Sequence, residues 1–376
     1  MKKSRFLRIA AICSFLGALT TILLIYLPGI SAIGIEEQAA LHLNKLKHPS
    51  ISFLSQQTGK TAILDESFEP YFSQLQLREI KAFTQEEPPN SNIDSARNFA
   101  REKFASAVVD FTEDEKECIS FVVQEVTNKL LENNIALMAN HPWRFIKIED
   151  WLCGGFAHTR GTYIILSQRH IDHLSKGWSD SITDEQKINL VILFGSLLVH
   201  EQLHSLQRCY RNRFVSLYTE YWNFVNAIVE PENFITINQV SNPDAPIAEW
   251  IIPKESDTTA FYWARTQLKE GSNIPQMGKD FIDVVYEVYF NNGKYYVQRD
   301  KNGEISFQKL TDLRSYTNSF PVSRGIDHPN EISAYMFADY FKSLIDNSLP
   351  FEDVNPESLQ NTRAFKKWLI TEMQIK

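Results

Sequence analysis

Apolar residues recur at helical spacing after Thr112: Ile119, Val122, Val123, Val126, Leu130 and Leu131 share one face of a 3.6-residue period. Thr112 and Glu115 form the reciprocal capping pattern that opens such a helix. A second helix is predicted from Thr183, capped with Gln186 and running to Tyr210. Eight of the ten residues from Leu190 to Val199 are apolar, so this helix is expected to be buried nearly all round. A third helix opens near Pro329, a favoured first-turn residue, and continues to Ile345. Trp143 to Ile148 and Gly161 to Ser167 are rich in β-branched and aromatic residues, which predicts strand pairing. Between Ile282 and Leu310, Asn292-Gly293 and Asn302-Gly303 separate β-rich runs and predict a three-stranded meander. The pattern as a whole is α+β, without internal repeats.

A different pattern occupies the N-terminus. Ile9 to Leu27 is almost wholly apolar, and no charged residue stands between Arg8 and Glu36. A spanning helix needs about 20 apolar residues, so a transmembrane helix is expected here. Lys2, Lys3, Arg5 and Arg8 precede it and would hold the N-terminus in the cytoplasm. Pro28-Gly29 ends the run, and Ile30-Ser31-Ala32 is an imperfect cleavage site. The length exceeds the ~7–15 residues of a signal peptide's apolar region, which favours an uncleaved signal anchor over a cleaved signal peptide for residues 1–35. Residues 36–111 are weakly periodic and read as a stalk or accessory region.

The 376 residues are 43% hydrophobic and 22% charged, which excludes disorder as the main character of the chain. The net charge of −8 divides into +4 on the first eight residues and −12 on the rest. With no basic stripe, nucleic acid is not an expected partner. Outside the apolar run only Cys118, Cys153 and Cys209 occur, enough for at most one intramolecular disulfide.

Candidate chemistry centres on His200-Glu201-Gln202-Leu203-His204. Residues four apart share a helix face, so both imidazoles can reach one ion with Glu201 beside them. Zinc suits two imidazoles and one carboxylate, with the fourth position left to water. The bound ion lowers the pKa of that water towards ~7, and a neighbouring carboxylate can take its proton. Downstream carboxylates that could complete the set are Glu220, Glu230, Glu232, Glu249, Glu255 and Glu331. Glu331 is preferred because it lies in the first turn of the last helix, where Ala334 and Ala338 allow two helices to approach closely. Glu230 and Glu232, flanking Pro231, are the runners-up.

The stretches LLVHEQLHSLQR and HPNEISAYMFADYF, with Asn242-Pro243-Asp244-Ala245-Pro246 between them, resemble zincin metallopeptidases of the gluzincin type and a group of bacterial zincin-like proteins. That resemblance implies His200, His204 and Glu331 as ligands of one zinc ion per chain and Glu201 as general base. It further implies a zincin-like α+β domain over residues 112–350, followed by a C-terminal tail at 351–376. Its buried HExxH helix would pack on a small antiparallel sheet, with a later helix carrying the third ligand. One departure is Tyr335, four residues after Glu331, where the thermolysin-like pattern has Asp; Asp339 is the available substitute. Tyr262, His328, Tyr335 and Arg265 are chemically able to stabilise a developing oxyanion, and the sequence selects none. Asn242-Pro243-Asp244 also reads as an ordinary turn, and His170 and His173 as surface histidines.

The expected function is a zinc metallopeptidase acting on peptide or protein substrates. It would be membrane-anchored with its catalytic domain outside the cytoplasm, or secreted if the first segment is cleaved. The alternative is a zincin-fold envelope or binding protein without turnover.

Overall fold

The computed structural model describes residues 49–376 apart from 176–177, 179–181, 255–256, 353 and 375–376. The expected membrane segment, Ile9 to Leu27, therefore lies outside the described residues. Among those described, no helix is long and apolar enough to cross a membrane.

The first sheet contains β1 (Ile51–Phe53), β2 (Val108–Val109), β3 (Trp143–Ile148), β4 (His158–Arg160) and β5 (Tyr163–Ser167). Its order is β1-β3-β5-β4, with β2 also on β3. β1 and β5 run parallel to β3, while β2 pairs antiparallel with β3 and β4 antiparallel with β5. The sheet is thus mixed where an antiparallel one was expected. The reason is local: after β3 the chain passes through Cys153, Gly154 and Gly155, all at positive φ, and reaches the outer edge as β4. It then turns back at Gly161 to lay β5 between β4 and β3.

One face of this sheet is filled by residues that read as a stalk in the sequence. Helices α1 (Gln56–Ala62), α2 (Leu77–Thr84) and α3 (Ile93–Ser106) bring Ile80, Phe83 and Phe104 against Ile146, Ile148 and Ile165. α1 and α2 are short, and α3 turns mainly the small residues Ala96 and Ala100 to the core, so no long run of large apolar residues announces them. At Gly59 a Cβ would sit 2.8 Å from a Val108 methyl, so α1 approaches β2 closely.

α4 (Glu113–Glu132) has the expected cap, with the Thr112 hydroxyl accepting the Glu115 N–H at 3.3 Å and the Glu115 carboxylate accepting the Thr112 N–H at 2.8 Å. The second predicted helix begins with the expected Thr183–Gln186 pair but is not uniform. A π-helical turn at Val191–Gly195 separates its first turns from α5 (Ser196–Cys209). That turn leaves Leu193 at 73% exposure, whereas burial was expected nearly all round. At Gly195 a Cβ would lie 2.9 Å from Val126 and 3.1 Å from Phe341, so three helical segments converge there. α6 (Pro329–Ile345) starts where the sequence placed it, with His328 as N-cap.

The second sheet is antiparallel: β6 (Val225–Asn226), β7 (Trp250–Lys254), β8 (Asp257–Leu268), β9 (Phe281–Asn291) and β10 (Lys294–Val297), in order β10-β9-β8-β7-β6. Asn292-Gly293 joins β9 to β10 as a tight turn. The expected meander ends there, because β11 (Phe307–Lys309) pairs with β9 rather than β10. Asp300 accepts the N–H groups of Asn302 and Glu304 at 2.8 and 2.9 Å, closing a small excursion after which the chain resumes its direction. Beyond α6, the segment read as a tail forms α7 (Leu359–Glu372), whose Phe365, Trp368 and Leu369 are buried. Cys118, Cys153 and Cys209 are buried.

Candidate metal centre

α5 and α6 run antiparallel: Gly195 meets Phe341 at one end, and Gln207 reaches Asn330 and Ser333 at the other. Ala334 of α6 is fully buried. Between the helices, His200 and His204 of α5 meet Glu331 of α6. The two Nε2 atoms are 3.2 Å apart, and the Glu331 carboxylate oxygens lie 3.5 Å from His200 Nε2 and 3.6 Å from His204 Nε2. All three side chains are buried and form a group able to hold a metal ion. Bonds of about 2.0–2.1 Å in a tetrahedron put neighbouring donors about 3.3 Å apart, so this triangle fits one small ion with nitrogen and oxygen ligands.

Two of the three ligands are oriented from behind, His204 and Glu331, while the buried His200 Nδ1 has no hydrogen-bond partner among the described residues. His204 Nδ1 lies 2.8 Å from Gln207 Oε1, and the Gln207 amide nitrogen donates to Asn330 O and Ser333 Oγ, both at 2.9 Å. Because that nitrogen is spent as a donor, Oε1 accepts, which assigns the proton to Nδ1 and leaves the Nε2 lone pair facing the cluster. Asn242 Nδ2 donates to Glu331 Oε1 at 2.8 Å. Arg208 pairs with Glu69 at 2.6 Å and donates to the Pro243 carbonyl at 2.7 Å, which ties the Asn242–Asp244 loop to α5. Gln207 supplies the support for which Asp339 was considered; Asp339 instead pairs with Lys342 at 2.8 Å.

Glu201 projects beside the cluster. Its Oε2 accepts the Thr159 hydroxyl at 3.0 Å, and Asp244 accepts the Thr159 N–H at 2.5 Å. Glu201, His204 and Asp244 offer ligand atoms within 4.8 Å of one another. Burial, then Asp244 and Glu331, push the Glu201 carboxyl well above the usual range. Burial and the neighbouring Glu331 raise Asp244 to about 6. Glu331 goes the other way: burial opposes its charge, but His204, His200 and the Asn242 amide hold it down at about 2. Burial pushes His204 down to about 4, so its ring is neutral at pH 7, the state that binds metal.

A cleft of about 540 Å³ opens in front of the cluster. Of the four oxyanion candidates, Tyr335 lines it, with its ring centroid 4.4 Å from that of His200. Tyr262 borders a separate cavity with Trp222 and Lys254. His328 is buried as the N-cap of α6, its Nδ1 accepting the Asn330 N–H at 3.1 Å. Arg265 stacks on Trp263 from β8 and does not line the cleft. Glu230 and Glu232 lie outside the site, paired with Lys294 at 2.8 Å and Arg299 at 2.7 Å. His170 lines the cleft, with its Nδ1 3.0 Å from the Ser167 hydroxyl.

Sequence reasoning missed Thr159, Gln207 and the role of Asp244. Gln207 had a signal, since position i+3 from His204 shares its helix face. Thr159 had none, because a two-sided contact from an edge strand is set by packing alone. No protein-family model matches the chain, and no curated protein or solved structure matches it.

Proposed function

We propose that this protein is a zinc-dependent hydrolase, a metallopeptidase cleaving peptide or protein substrates. The observation that carries the reading is the buried triangle of two imidazole nitrogens and one carboxylate at 3.2–3.6 Å, with Glu201 beside it. Zinc at such a site supplies Lewis acidity towards a carbonyl and acidifies water to a pKa of about 7. Glu201 is the general base, placed beside the cluster to take a proton from water and pass it to the leaving amine. Thr159 fixes the rotamer of that carboxylate. Gln207 and Asn242 hold His204 and Glu331 in the orientation that faces the ion. Tyr335 is the donor candidate for the carbonyl oxygen. The cationic N-terminus and the apolar run after it support a membrane-anchored protein with this domain outside the cytoplasm, or a secreted one after cleavage.

The test is metal content with and without turnover. Purified protein should hold about one zinc per chain. Glu201→Gln should retain it while losing hydrolysis, and His200→Ala should lose it. Undiminished zinc in His200→Ala, or full hydrolysis in Glu201→Gln, would overturn the reading. Stoichiometric zinc with cleavage profiles indistinguishable between wild type and Glu201→Gln would favour a binding protein.

A further inference from the structure

We infer that Arg324 recognises a carboxylate on the substrate close to the scissile bond, so that the cleft selects peptides carrying an acidic group there; this rests on the peptidase reading above. Arg324 is exposed and lines the same cleft as His200, Glu201 and Glu331. Its guanidinium lies 4.5 Å from the centroid of the Tyr335 ring, and that ring lies 4.4 Å from the His200 ring. Cation and imidazole therefore share one aromatic spacer. Their separation is spanned by no more than about three residues of extended peptide at ~3.3 Å each.

The backbone builds this position. Gly325 has φ +64°, and a Cβ there would fall 2.5 Å from Tyr335 Cε2 and 3.0 Å from Glu331 Cβ. Only a residue without a side chain lets the loop close on Tyr335 and Glu331, which sets Arg324 over the ring. Stacking on an aromatic face uses the guanidinium's flat side and leaves its in-plane N–H fork for a carboxylate.

The acids already in the cleft have other partners. Glu331 is held by the two histidines and Asn242, Glu201 by the Thr159 hydroxyl, and Asp244 by the Thr159 N–H. Lys342, the other cation lining the cleft, is paired with Asp339. Among the described residues no carboxylate pairs with Arg324, which stands at the rim as a cation held in place and unspent.

The carboxylate could be the terminal group of a peptide or an Asp or Glu side chain, and matched substrates separate the two. Zinc-loaded full-length protein would be assayed on four fluorogenic peptides: a free-acid and an amidated neutral peptide, and two amidated peptides with Glu or Gln beside the cleaved bond. The kcat/KM for a carboxylate-bearing peptide should exceed that of its neutral partner by about tenfold or more. The ratio should collapse towards one in Arg324→Gln and recover in part in Arg324→Lys. Preference for free acid over amide assigns the terminal carboxylate, and preference for Glu over Gln assigns the side chain. Equal kcat/KM across the four, or a preference that survives Arg324→Gln, would overturn the inference and leave the peptidase reading standing. Cleavage of none would overturn both.

Discussion

The fold buries acidic side chains in two ways. Beside the first sheet, Glu115 and Lys147 form a closed ion pair, with Lys147 Nζ 2.8 Å from both carboxylate oxygens. Burial opposes the charge on Glu115, but Lys147, the Thr112 N–H and Gln168 hold it below the usual carboxylate range. Between α5 and α6, Glu201, Asp244 and Glu331 are buried together beside His200 and His204, and the adjacent Arg208 is engaged by Glu69. The first group balances its charge from within the chain. The second leaves an acidic excess that a bound cation would satisfy, and that difference separates a structural ion pair from a candidate metal site.

Replacing a metal donor should have the largest effect. Glu331→Ala is expected to reduce zinc from about one per chain to near zero and abolish hydrolysis, read by elemental analysis and peptide assay. Glu201→Gln should lower kcat by about two to four orders of magnitude with zinc retained.

The sharpest break in the comparison comes from neutralising one acid in each group of the metal-free protein. Glu115→Gln strands Lys147 and should cost about 3–5 kcal/mol in urea unfolding. Glu201→Gln relieves repulsion among buried carboxylates and should leave stability equal or higher. A loss of similar size in both would erase the distinction between the groups.

Smaller effects test the supporting residues. Gln207→Ala releases His204 Nδ1 and should weaken zinc binding by about 10- to 100-fold, measured by competition with a chelator. A last prediction concerns Glu79, buried and accepting the N–H groups of Ser241 and Gln76. Burial raises it from 4.5 to about 7. The folded state then holds the proton more tightly than the unfolded state. Its contribution to stability is complete below pH 4.5 and is lost as pH rises through about 7. Glu79→Gln should flatten that slope, and an unchanged slope between pH 4.5 and 7.5 would contradict it.

Much of what was legible in the sequence is local. The caps at Thr112 and Thr183, the helix opening at Pro329 and the shared face of His200 and His204 each depend on residues within four positions of one another, so spacing alone determines them. Glu331 is preferred in the sequence among several carboxylates for its place in the first turn of the last helix, and the antiparallel packing of α5 on α6 brings it to the histidines. Three features belong to tertiary structure alone. The parallel pairing of β3 with β5 depends on where the chain goes between them. The core contribution of residues 51–111 comes from short helices that meet only in space. The support given by Thr159, Asn242 and Asp244 joins β4, α5, α6 and a distant loop, and contacts across 42–89 residues leave no periodic trace in a single sequence.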